Sequence, residues 1–290
     1  MSAATLDPRV DPVRRSTAPV LARLPAPGVV LAAAWLVLVV LAAAAPTLLS
    51  GTDPYAADTG ALLQPPSAHH WFGTDQIGRD LYSRVVHGSS LSLRATLVAV
   101  AVGVCLGAAV GLVAGAAGGW VDAVLMRLVD VLLAIPSLLL SLAIITVLGF
   151  GTLNVAVAVG FGSVAACARV MRAEVLRVHG STYVEASASL GVRRPTVLLR
   201  HVLPNAAGPV LVLAALDFGT AVLAVSSLSF LGYGAKPPTP EWGSLVASGR
   251  DFLGSGWWLT TLPGLVIVAT VLAANRLARA LEGRREGDLR

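Results

Sequence analysis

Along this chain, long apolar runs alternate with short polar joints. Six runs approach the roughly 20 residues that a helix needs to cross a bilayer. They cover 29–49, 91–117, 124–149, 153–171, 209–231 and 257–274. None alternates with the period of two that marks a half-buried strand, and the pattern predicts helices throughout. Between the fourth and fifth runs lies a polar island, 172–206. Tyr183, Ala186 and Leu190 fall at i, i+3 and i+7 there, which makes one narrow apolar stripe with Glu185 and Ser189 beside it. Gly191 suits the left-handed cap that ends a helix, Pro195 the first turn of a second, and Pro204 its stop. The island reads as a helical hairpin with a small apolar ridge and one acid among arginines. A groove on another protein would take such a ridge, and so would a lipid surface.

Composition agrees with the spans. The 290 residues are 56% hydrophobic and only 13% charged, and the mean hydropathy is +0.77. Charged residues are about a quarter of an ordinary soluble domain, so the class is an all-α membrane protein with six transmembrane helices. Cys105 and Cys167 both fall inside spans and read as small packing residues. The first run starts too far from Met1 for an ordinary signal peptide, and Pro46 follows Ala43-Ala44-Ala45 directly, so it reads as an uncleaved anchor.

Charge then sets the orientation. With the amino terminus inside, fifteen arginines fall in the tail, in or just before the island (from Arg169) and after the last span. The outside segments hold only four basic residues, Arg79, Arg84, Lys236 and Arg250. Positive charge gathers on the cytoplasmic side of membrane proteins, so both termini and the island are expected there. The expected layout is a cytoplasmic tail 1–28, a first helix 29–49, an extracytoplasmic loop 50–90, a core 91–279 containing the island, and a cytoplasmic tail 280–290. The net charge of +5 follows from this topology. It does not form the basic stripe with interleaved aromatics that would indicate nucleic acid.

Polar and small positions inside the spans carry further expectations. Gly103, Gly107, Gly111, Gly115 and Gly119 recur every fourth residue and leave one helical face almost bare. Such a face lets another helix approach closely; a glycine-lined permeation groove is the alternative. Arg127 and Asp130 are three apart and predict a mutual ion pair near the cytoplasmic interface, which leaves Asp130 either structural or a gating contact. Asp217 has no obvious partner in sequence, and acids within spans face a partner or a watery cavity.

Enzyme chemistry is not visible. Lys236 is the only lysine and sits in Ala235-Lys236-Pro237-Pro238, which is not a phosphate-binding loop. Neither a zinc-binding His-Glu-x-x-His nor a Gly-x-Ser-x-Gly nucleophile elbow occurs. His69 and His70 are adjacent and point apart, so with His87 they make a poor metal site. No catalytic residue and no metal ligand is expected.

Glu185-Ala186-Ser187, then Gly191, then His201-x-Leu203-Pro204 resembles the coupling motif of permease subunits of ATP-binding-cassette importers. Two further blocks, His70 to Arg84 and Leu228 to Gly243, resemble the C-type permease of the dipeptide, oligopeptide and nickel family. The resemblance runs from about residue 29 to 281. It implies a type I importer permease fold in a bacterial cell membrane, paired with a second homologous permease. It also implies two ATPase subunits and an extracytoplasmic solute-binding protein. ATP and magnesium would bind the ATPase subunits, with no cofactor on this chain. Tyr183, Glu185, Ala186, Gly191, His201, Leu203 and Pro204 would form the ATPase-coupling hairpin. The substrate implied is a di- or oligopeptide, with nickel or another small solute as the alternative. A secondary transporter would instead show inverted repeats. Two departures stand out: Val225 occupies a position where the family carries Glu, and Arg276 follows Asn275 where Gly-Asp is usual.

Overall fold

The computed structural model describes residues 27–181 and 192–288. The first apolar run forms α1 (Pro27–Ala44) and, after Pro46, a single turn α2 (Pro46–Leu49). A folded loop leads to α3 (Leu81–Ala117), which is followed by α4 (Gly119–Ala134), α5 (Ser137–Leu148) and α6 (Thr152–His179). After residue 192 come α7 (Arg194–Val197), a π-helical turn (Leu198–Val202), α8 (Leu203–Phe230), α9 (Trp242–Gly249) and α10 (Trp258–Asp288). Among the described residues no strand forms beyond an isolated bridge between Thr74 and Asp80.

Five helices are long and apolar enough to cross a membrane, and six traverses result if the bent pair α4–α5 counts as one. The packing makes it one. α3 meets α6 at a constant offset, Gly103 on Ser163, Gly107 on Cys167, Gly111 on Met171 and Gly115 on Val175, so the two run parallel. The chain between them must return to its starting face, and α4 with α5 does so through a bend of 98°. Pro136 sits at that bend, as expected of a residue that cannot extend a helix.

α1 and α10 run antiparallel. A Cβ on Gly28 would lie 3.1 Å from the Arg276 guanidinium, and Trp35 Nε1 donates to Thr270 Oγ1 at 3.1 Å. The start of α1 and the end of α10 therefore share one face. α8 is antiparallel to α6, because Val202, Ala206 and Val210 pack on Cys167, Met171 and Val175, while Val225 and Leu228 pack near Val155 and Ala158. Residues 179 and 192, on either side of the segment 182–191, thus lie on the face that holds both helix ends. It is called the hairpin face below, and the opposite one, where the 50–80 loop folds, the loop face.

Two sequence expectations fail here. Pro204 does not end a helix: helical backbone continues from Arg194 to Phe230. The π-helical turn just before it widens the spiral, and Pro204 then occupies the first turn of α8, where its missing N–H is tolerated. Asn205 Nδ2 donates to the His201 carbonyl at 2.6 Å within this irregular turn. Gly119 also drops out of the four-residue series. It follows the break at Gly118, with positive φ at both glycines and open space around each.

Candidate functional site

The parallel contact of α3 and α6 is a close one, backbone against backbone. A Cβ on Gly107 would lie 2.6 Å from Cys167 Cβ and 2.7 Å from the Val164 carbonyl. One on Gly103 would meet Ser163 Cβ at 2.9 Å, and one on Gly160 of the opposing helix would meet the Ala99 carbonyl at 2.5 Å. Gly111 and Gly115 face Ala168, Met171 and Val175 in the same manner. Helices in lipid lack a hydrophobic drive toward each other and associate through packing of this kind. The stripe is filled by a neighbouring helix over the length of Gly103 to Gly115, which leaves no room there for a permeation groove within the subunit.

From this seam α6 runs on to His179 at the hairpin face. Of the expected coupling residues, Tyr183, Glu185, Ala186 and Gly191 lie outside the described residues. His201, Leu203 and Pro204 lie in the π-helical turn and at the foot of α8. Val202 between them is fully buried against the end of α6, in a cluster with Met171, Val175, Val178 and Val197. The chain on either side of residues 182–191 is thereby clamped together by apolar packing.

Asp130 is not paired with Arg127. Its Oδ1 accepts from Arg169 Nη2 of α6 at 2.6 Å. One turn further along α6, Arg172 forks onto both carboxylate oxygens of Asp122. Two arginines of α6, three apart on one face, thus hold two aspartates of α4. The nearer cation in sequence loses to cations on the neighbouring helix, which α4 crosses. Neither Arg169 nor Arg172 is marked by the sequence beyond its count toward the positive face, and the contact partners lie 39 and 50 residues away.

Asp217 lies about midway along α8 and is half-buried. Its carboxylate has no hydrogen bond or ion pair with any described residue. Two residues on, Gly219 lets Asn275 of α10 approach, with a Cβ there falling 2.6 Å from Asn275 Oδ1. Val225, at the family's Glu position, is buried among Ala95, Ala99, Ala221 and Leu228. Its surroundings are those of an apolar core.

The loop face is a folded cap rather than a slack connection. Asp75 accepts from the Ile77 and Arg79 amides and pairs with Arg79 Nε at 2.6 Å, and Arg84 Nε lies 3.7 Å away. Arg84 also donates to the Pro54 carbonyl at 2.9 Å and the Pro238 carbonyl at 3.2 Å, which ties two distant loops together. Asp80 caps α3 by accepting from the Ser83 amide at 2.7 Å and binds His70 Nδ1 at 2.8 Å. A buried glutamate completes the cap. Glu241 is the N-cap of α9, accepting from the Gly243 and Ser244 amides at 3.1 and 3.0 Å and from Ser92 Oγ at 3.3 Å. It is fully buried with no cation beside it among the described residues, and burial pushes its carboxyl above the usual range while the capping amides pull the other way. The signal was present in the sequence as an acid just ahead of Gly243-Ser244, after Pro240.

Comparison with known proteins fits this geometry. The chain is 40% identical over 227 residues to the probable D,D-dipeptide transport system permease protein DdpC of Escherichia coli strain K12, covering 78% of this chain and 76% of that one. It is 43% identical over 224 residues to the glutathione transport system permease protein GsiD of Escherichia coli O6:K15:H31, covering 77% and 74%. Among solved structures, an amino acid ABC transporter crystallised with histidines superposes with a TM-score of 0.54 at 18% identity, over 70% of this chain and 94% of that one. The inward-facing MetNI methionine ABC transporter gives 0.54 at 20% identity, over 68% and 95%. These two share the fold. Residues 107–287 match the description of binding-protein-dependent transport system inner membrane components, and with these identities over three quarters of its length the chain belongs to that family.

Proposed function

We propose that this chain lines, together with a second homologous permease, the path of an ATP-driven importer for di- or oligopeptides. The observation that carries the reading is the similarity to permeases named for D,D-dipeptide and glutathione transport, extending over about three quarters of the chain. A solute-binding protein delivers the peptide to the folded cap on the loop face. Two ATPase subunits engage the hairpin face, where they bind ATP and magnesium and carry out hydrolysis; this chain holds no cofactor. The hairpin face is cytoplasmic, as the arginine asymmetry requires. ATP-driven closure of the ATPases moves the hairpin around Glu185, and the clamped roots at Val178 and Val202 pass that movement to α6 and α8. The half-buried, unpaired Asp217 serves the path, and Asp130 serves the gate.

Reconstitution tests this. The purified transporter, with both permeases and both ATPases, is placed in vesicles, and uptake of D-alanyl-D-alanine and of glutathione is followed. Uptake of one of them that needs both ATP and the binding protein is expected. Uptake of nickel alone, or of either peptide without ATP, would contradict the reading.

A further inference from the structure

The two ion pairs between α4 and α6 have an unusual geometry. Asp122 and Asp130 are eight residues apart, about 12 Å along a helix, whereas Arg169 and Arg172 are three apart, about 4.5 Å. Both pairs close only because α4 crosses α6 steeply and in the opposite sense. α4 has little else to hold it. Val129 is its one buried side chain, seated with Met126 and Leu132 on Ala165 and Ala168. Trp120, Val124, Leu128 and Val131 are all at least half exposed. At its far end α4 joins α5 through the 98° bend at Pro136, and α5 is fixed independently to the upper part of α6, where Ser141 Oγ donates to the Ala158 carbonyl.

The Asp130–Arg169 pair is half exposed on both sides, 50% and 55%, and such pairs contribute little to stability. Their use is in direction. Arg172 stands two turns before His179, where α6 leaves for the hairpin, and its fork onto Asp122 fixes both position and angle. We propose that Arg169 and Arg172 are positioning residues that make α4 a lever, transmitting displacement of the α6 end to the bend at Pro136. This rests on the ATPase-coupling part of the function proposed above, and it adds residues outside the hairpin to the transmission. α4 then turns with α6 while α5 stays with the outer half of the bundle, and the bend takes up the difference.

The test uses the complete transporter in vesicles, with Cys105 and Cys167 replaced and a single cysteine at Val124→Cys, a half-exposed position on α4. The maleimide labelling rate is measured with and without trapping by ATP, magnesium and vanadate. In the intact chain, trapping changes the rate. In the Asp122→Asn, Asp130→Asn variant that change is lost, although vanadate still inhibits hydrolysis, and the exchange Asp122→Arg with Arg172→Asp restores part of it. Arg169→Gln, at the more exposed pair, weakens the response without lowering thermal stability and guards against a folding defect in the double variant. A trapping response that survives loss of both pairs overturns the proposal, as does an α4 whose labelling never responds to trapping. Lower stability with the response intact assigns the pairs a structural role only, and also overturns it. If the intact transporter imports neither peptide, the peptide reading fails, whereas the trapping response is read without any peptide.

Discussion

Gly107→Ala probes the α3–α6 seam with the smallest possible change. The added methyl would lie 2.6 Å from Cys167 Cβ and 2.7 Å from the Val164 carbonyl. Carbon atoms prefer separations of about 3.5–4.0 Å, so the two helices must part by about 1 Å at this level. One of the obstacles is backbone, which no rotamer change can move. Overpacking of this kind costs about 1–3 kcal/mol. At roughly 2–4 °C per kcal/mol for chains of comparable size, the midpoint of thermal unfolding should fall by roughly 2–12 °C. Gly264→Ala in α10 is the matched control: nothing lies within 4 Å of the added Cβ. There, removal of a flexible glycine from a helix should be neutral or stabilising by up to about 1 kcal/mol. The assay is intrinsic fluorescence of the purified complex on heating, read beside its abundance in membranes. If Gly107→Ala unfolds at or above the wild-type temperature, the helices are not held at this spacing and the seam argument is wrong.

Other consequences follow from the cap and the topology. The Glu241 carboxyl titrates above its unfolded value, so the folded protein holds that proton longer; the associated stability is complete below the ordinary glutamate range and is lost as pH rises toward the folded value. Glu241→Gln should flatten the decline of the unfolding temperature with rising pH, and identical slopes in the two proteins would contradict this. Arg84→Ala leaves the Pro54 and Pro238 carbonyls without their donor, at about 1–3 kcal/mol. Limited proteolysis should then cut the 50–80 loop faster, and an unchanged rate would show that the loops are held otherwise. In a chain lacking Cys105 and Cys167, an impermeant maleimide should label a cysteine at position 58 in intact cells and spare one at 182. The reverse result would invert the topology.

The sequence made the backbone of this architecture legible wherever a local rule decides the outcome. Glycine at every fourth position permits close approach on one helical face, and α6 fills that face from Gly103 to Gly115. Pro136 must interrupt its run, and a 98° bend is found there. Where a local rule has two solutions, it misled. The stop expected at Pro204 is not found, because proline is equally tolerated in a first helical turn, and the π-helical turn ahead of it places it there. The partner of Asp130 was beyond reach for a different reason. Arg127 is near in sequence, but Arg169 is brought in by the crossing of two helices, a property of the tertiary packing alone. The buried role of Glu241 depends likewise on α3 placing Ser92 against the start of α9.

The central claim is that ATP-driven motion enters this subunit through the segment around Glu185. The most direct measurement compares wild type with Glu185→Arg and Gly191→Val, scoring co-purification of the ATPase subunits and ATP-dependent peptide uptake in reconstituted vesicles. Reversing one charge at a protein contact costs roughly 2–5 kcal/mol when its counterpart is buried, and Val is poorly tolerated where glycine forms a left-handed cap. Both variants should insert at normal levels and lose ATPase attachment or uptake. A segment lying on anionic lipid would instead tolerate or welcome the added arginine, and wild-type attachment and uptake in both variants would contradict the account.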